Sequence, residues 1–125
     1  MLSPSRSAII VSALAGYDCA VIYLFGSLAK NIGHLGSDID IAFLPRSPIP
    51  PLDRLYPAST LSNQLGKSVD LVDLTTASTV FAKEVVANGT PLFIGDPLRH
   101  QTFEIYTFSD YARLNEERKE VLAGC

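Results

Sequence analysis

Cysteine and histidine are scarce in this 125-residue chain: two of each, Cys19, Cys125, His34 and His100. The cysteines do not make a disulfide framework and neither stands in a metal-ligand spacing, so both read as reduced thiols. The histidines have no neighbouring Cys or His, which speaks against a zinc site. Excess positive charge is missing too. Ten Lys and Arg stand against 13 Asp and Glu, a net charge of −3, with a pI near 5.2. That balance argues against a protein that binds nucleic acid by covering its phosphates. The longest apolar run is Ala20 to Phe25, far short of the ~18 residues a membrane span needs. The opening Met1 to Arg6 has no apolar stretch of the secretory kind, so a cytoplasmic chain is expected.

What is present suits one packed domain: 47% apolar and 18% charged residues, at a length that supports a single core. The mean hydropathy of +0.22 is high. Without a membrane segment, it implies a small core plus an exposed apolar patch that a partner covers.

Along the chain, Ser3-Pro4 marks a helix start, with Ile9, Ile10, Ala13 and Leu14 at helical spacing and Gly16 placed to end it in a left-handed conformation. Ala20 to Phe25 reads as a buried strand, broken sharply by Gly26-Ser27. A short helical turn is expected over Leu28 to Ile32. Asp38 to Leu44 alternates, putting Ile39, Ile41 and Phe43 on one face and Asp38, Asp40 and Ala42 on the other. After a Pro-rich connection, a helix ends near Gly66 with Leu55, Ala58, Leu61, Ser62 and Leu65 inward. Ser68 to Leu74 is a third strand, with Asp70 and Val72 on one face. Ser78 or Thr76 caps a helix that stops at Asn88-Gly89; Leu92 to Ile94 makes a fourth strand. Asp96-Pro97 opens a last helix running towards Leu122. It carries Ile105, Phe108 and Ala112 on one stripe, and Phe103, Tyr106, Tyr111 and Leu114 on a second that could be core or interface. The class is α/β (α+β): a small mixed sheet flanked by helices, the last one long.

Three features belong together: Gly26-Ser27 directly after a strand, Asp38-Ile39-Asp40 ten residues on, and Asp70 on the next strand. Gly26 allows close backbone approach to a ligand. The amides and hydroxyl that follow can donate to phosphate oxygens. Two carboxylates two apart on a strand share a face and repel unless a cation lies between them, and hard oxygen donors favour Mg²⁺ or Mn²⁺. Asp70 joins them if its strand lies alongside. Two ions roughly 3.5–4 Å apart would then clamp the attacking and leaving oxygens of a phosphoryl-type displacement. Each part has a plainer explanation: a turn for Gly-Ser, a solvated strand face for Asp38 and Asp40, and the same for Asp70 and more so Asp73. The conjunction outweighs them, since ordinary residue usage produces this spacing by chance in roughly one chain of this length in a thousand.

Gly-Ser, ten spacers and Asp-x-Asp, with a later strand aspartate, resemble the signature of the DNA polymerase β-like nucleotidyltransferase superfamily. Gly26-Ser27-Leu28-Ala29-Lys30, Ser37 to Ile41 and Val69 to Leu74 resemble its minimal nucleotidyltransferase branch, and within it the MntA-type antitoxins encoded beside HEPN-domain toxins. The likeness by motif spans Phe25 to Asp73, in a single minimal domain over 1–125. It implies an enzyme that binds ATP with Mg²⁺ and transfers AMP to a tyrosine hydroxyl of a partner toxin, releasing pyrophosphate. Carried over, Gly26 and Ser27 would hold the β- and γ-phosphates and Asp38 and Asp40 the metals. Asp70 would complete the metal site and help deprotonate the acceptor. The family often has Arg-Gly where this chain has Lys30-Asn31. A lysine meets phosphate as a point charge without the bidentate fork of arginine, and a solvated Lys30 is the plain alternative. His34, in the spacer, reads as a loop residue. Two rival readings remain: a contact-only antitoxin with a vestigial nucleotide site, and a small-molecule adenylyltransferase of the aminoglycoside type, for which 125 residues leave little room. No nucleic acid and no membrane partner is expected.

Overall fold

The computed structural model describes residues 3–25 and 39–123. Gly26, Ser27, Lys30, His34 and Asp38, and the short turn expected over Leu28 to Ile32, lie outside them.

The first helix, α1, spans Pro4–Ala13, its N-terminus closed by the Ser3 hydroxyl accepting from Arg6 N at 3.3 Å. Its end differs from expectation. A 3₁₀ turn over Ala15–Tyr17 carries the chain past Gly16, and the left-handed residue is Asp18, at φ 53°. Aspartate tolerates that region, and the Asp18 carboxylate takes Arg46 Nε at 2.7 Å.

Strands β1 (Val21–Phe25), β2 (Ile39–Leu44), β3 (Val69–Asp73) and β4 (Thr90–Ile94) form one sheet in the order β3-β2-β1-β4. β1 is antiparallel to both β2 and β4, and β2 is parallel to β3. The parallel pair needs a crossover, which the Pro-rich segment and helix α2 (Leu55–Leu65) supply. Pro51–Arg54 form a 3₁₀ turn leading into α2, so Pro57 falls in its first turn, where a missing N–H costs nothing. Gly66, at φ 67°, closes α2 in the left-handed conformation that glycine takes readily. Leu55, expected inward, is exposed; the inner face begins at Ala58 and runs through Leu61 and Leu65.

Strand alternation divides the core. Ile22, Leu24, Ile39, Ile41, Phe43, Val69 and Leu71 face α1 and α2. Val21, Tyr23, Ala42 and Leu44 face the other way, onto α3 (Thr79–Asn88) and α4 (Pro97–Ala123), through Val85, Phe81 and Phe103. Ser78, not Thr76, caps α3, accepting from Phe81 N at 3.1 Å. Thr76 instead donates to Asp73 O.

Asp73 is no solvated strand residue. It is 1% exposed and accepts from Ile49 N and Thr75 N, each at 2.8 Å, and from Thr75 Oγ1 at 2.6 Å. It fastens the Pro-rich segment to β3.

Of the two stripes of α4, the second faces the sheet, apart from Tyr106, and the first faces outward. Phe103, Tyr111 and Leu114 are half-buried and Thr107 is buried, whereas Ile105, Tyr106, Phe108 and Ala112 are exposed. The cause lies in the sheet. The Tyr23 ring is wholly buried, and its hydroxyl needs a polar partner; Glu104 supplies one at 2.6 Å. Turning Glu104 inward brings His100, Thr107, Tyr111 and Leu114 with it at helical spacing.

Candidate active site

β2 is central and its six residues are buried, so Asp40 does not belong to the solvated face of an edge strand. Asp40 is 8% exposed. It shares the α3 and α4 side of the sheet with Ala42 and Leu44, at the end where β2 begins and β1 finishes. In the parallel ladder Asp40 stands opposite Asp70, on strands about 4.8 Å apart. Residues opposite one another point to the same face, so the two carboxylates stand side by side, with Asp70 exposed on the outer strand. On its other flank, Asp40 pairs with Phe25, the residue before Gly26.

Among the described residues, no three His, Cys, Asp or Glu side chains are grouped to hold a metal. The two aspartates supply hard oxygen donors only, a set that fits Mg²⁺. Asp38, two residues before Asp40, lies outside the described residues. The structure thus brings Asp40 and Asp70 together at the C-terminal end of β1.

Sequence reasoning missed a second polar group. Glu104 Oε2 accepts from the Tyr23 hydroxyl at 2.6 Å and lies 2.9 Å from His100 Nε2. The Nε2–H tautomer of His100 would donate to that same oxygen. Burial, and then the hydrogen bond to Glu104, push the Tyr23 phenol far above its usual range. The four-residue spacing of His100 and Glu104 on one helix was the signal available. Cys19 is buried, its thiol 3.8 Å from Leu14 O, and burial pushes it up to about 12. It is an inert thiol.

The fold and the paired aspartates define a class. Residues 9–98 match the family "Polymerase beta, Nucleotidyltransferase", and the chain belongs to that family. Over 102 residues, 82% of this chain and 73% of the relative, it is 39% identical to the protein adenylyltransferase MntA of Shewanella oneidensis. Among solved structures, it is similar to a chain of a toxin–antitoxin crystal structure with AMP-PNP: TM-score 0.80, 35% identity, 94% of this chain and 96% of the other. It is also similar to a chain from the complex of a tri-AMPylated S. oneidensis HEPN toxin with its MNT antitoxin: TM-score 0.79, 33% identity, 96% and 95% covered. No helix among the described residues is long and apolar enough to cross a membrane.

Proposed function

We propose that this chain is an antitoxin that transfers AMP from ATP to a tyrosine hydroxyl of a HEPN-domain toxin, and so silences it. The observation that carries the reading is the register that sets Asp40 beside Asp70, in a chain 39% identical to a protein adenylyltransferase. In the proposed reaction the tyrosine oxygen attacks the α-phosphorus of ATP. A new P–O bond forms, the bond to the β-phosphate oxygen breaks, and pyrophosphate leaves. Asp38, Asp40 and Asp70 would hold Mg²⁺, which when bound neutralises charge on the polyphosphate. Asp70, exposed at the outer strand where an acceptor can approach, takes the hydroxyl proton. Gly26 and Ser27 grip the β- and γ-phosphates through backbone amides and the hydroxyl, and Lys30 adds a point charge. The protein contributes alignment and electrostatics rather than a covalent intermediate.

The outer face of α4 supports a protein acceptor. Leu98, Ile105 and Tyr106 are each at least 65% exposed, an apolar surface that suits cover by a folded partner better than contact with a small substrate.

The test is the double exchange Asp38→Asn with Asp40→Asn, assayed with α-labelled ATP, Mg²⁺ and the toxin. Label transfer should vanish while the complex still forms. Toxin neutralisation undiminished in that variant would establish the contact-only mechanism instead.

A further inference from the structure

The phosphate grip and the aspartates must keep a fixed separation, and the last residue of β1 links the two. Phe25 directly precedes Gly26 in sequence and pairs with Asp40 across the sheet. Its ring meets that of Phe81 on α3 edge-on, with centroids 5.2 Å apart and planes at 90°, the favoured arrangement for an aromatic pair. The end of α3 presses on the same place. A Cβ on Gly89 would lie 2.5 Å from Val85 O, 3.2 Å from Leu24 O and 3.5 Å from Phe25 Cβ. Gly89 has φ −79°, a conformation open to any residue, so glycine is required here by space alone. The helix terminus abuts the last two residues of β1 at backbone distance.

We infer that Phe81 and Gly89 are positioning residues for nucleotidyl transfer. α3 clamps the end of β1, so that Phe25, the residue before Gly26, is held at a set place relative to Asp40. The catalytic part of this inference rests on the function proposed above. Strand ends open more readily than strand centres. An opening here would move the phosphate grip while Asp40 stayed in the central strand. A misplacement of roughly 1 Å can cost about 100-fold in rate. Neither residue needs to touch the nucleotide to have this effect.

The experiment compares Phe81→Leu, Phe81→Tyr and Leu61→Val in the full chain, the last being a core change on the opposite face of the sheet. Two readouts are taken: kcat and KM for ATP in AMP transfer to the toxin, and amide hydrogen exchange along β1. Phe81→Leu should lower kcat on the order of tenfold and leave KM within about twofold, since the grip and the acids each persist but are misaligned. Exchange should quicken at Leu24 and Phe25 but not at Val21. Phe81→Tyr, which keeps the ring edge, should restore both readouts, and Leu61→Val should keep the parental kcat. An unchanged kcat in Phe81→Leu, or an equal loss in Leu61→Val, would overturn the inference. If the parent chain transfers no AMP at all, the proposed function falls by itself. The clamp is then decided by exchange alone: quickening confined to Leu24 and Phe25 upholds it, and an unaltered pattern refutes it.

Discussion

The Tyr23 hydroxyl donates to Glu104 Oε2 at 2.6 Å across 81 positions of sequence, and this bond fixes which side of the last helix faces the sheet. The acceptor oxygen is also 2.9 Å from His100 Nε2, so one carboxylate ties β1 to two positions on α4. Replacing Tyr23 by Phe keeps the packing and removes one charge-assisted bond. We expect a loss of about 1.5–3 kcal/mol, read from urea unfolding with an unchanged m-value. A loss below about 0.5 kcal/mol would mean that packing alone orients α4.

Alkaline pH should destabilise the fold. Burial raises the Cys19 thiol from 9.0 to about 12, and Tyr23 is raised further. For a group whose folded pKa lies above its unfolded value, the unfolded chain releases its proton first. The associated stability is therefore complete below about pH 9 and drains away as the pH climbs towards about 12. Unfolding midpoints measured from pH 7 to 11 should stay level to about 9 and then fall. A Cys19→Ala, Tyr23→Phe double variant should show a shallower fall from a lower plateau.

The alternation of Asp38 to Leu44 made the Asp40 face legible, because a strand has a two-residue period that a short stretch of sequence displays in full. The partnership with Asp70 was legible only as a condition. Nothing in the sequence alone states that β3 runs parallel to β2, with Asp40 opposite Asp70; the crossover through α2 decides it. Which α4 stripe faces the sheet was not legible, because that helix carries apolar residues on two sides. The choice between them is made by the buried phenol of Tyr23, which belongs to another element. Asp73 misled for a similar reason: its partners Ile49 and Thr75 lie in connections whose path no local pattern specifies.

Asp73→Asn should be among the costlier single-atom changes in the chain. The carboxylate takes two backbone N–H groups and one hydroxyl, while an amide turns an N–H₂ towards at least one of those donors. The expected loss is about 2–4 kcal/mol, with quickened amide exchange through residues 46–50 as the Pro-rich segment comes away. A loss confined to global stability, with that segment still protected, would count against its anchoring role.

Ile105→Glu separates partner binding from folding. Ile105 is 68% exposed, so the isolated chain should keep its midpoint within about 0.5 kcal/mol. If α4 meets the toxin through this face, the change buries an unpaired charge in the contact and should weaken the complex by at least about tenfold. Calorimetric titration gives the answer; unchanged affinity would place the contact elsewhere on the molecule.

Asp40→Asn tests the metal site through ligand-induced stabilisation. With no cation between them, Asp40 and Asp70 are like charges on opposed positions of neighbouring strands, an arrangement that destabilises. The melting temperatures of parent and variant in chelator give the reference. Added Mg²⁺ and a non-hydrolysable ATP analogue should then raise the parent more than the variant. A ligand that binds only the folded parent at roughly tenfold over its Kd stabilises it by about 1.4 kcal/mol, or on the order of 4 °C for a domain of this size, and the variant should gain little. AMP transfer should fall by at least about 100-fold in the same variant. Equal ligand-induced shifts in parent and variant would remove Asp40 from the metal site, whatever the transfer assay showed.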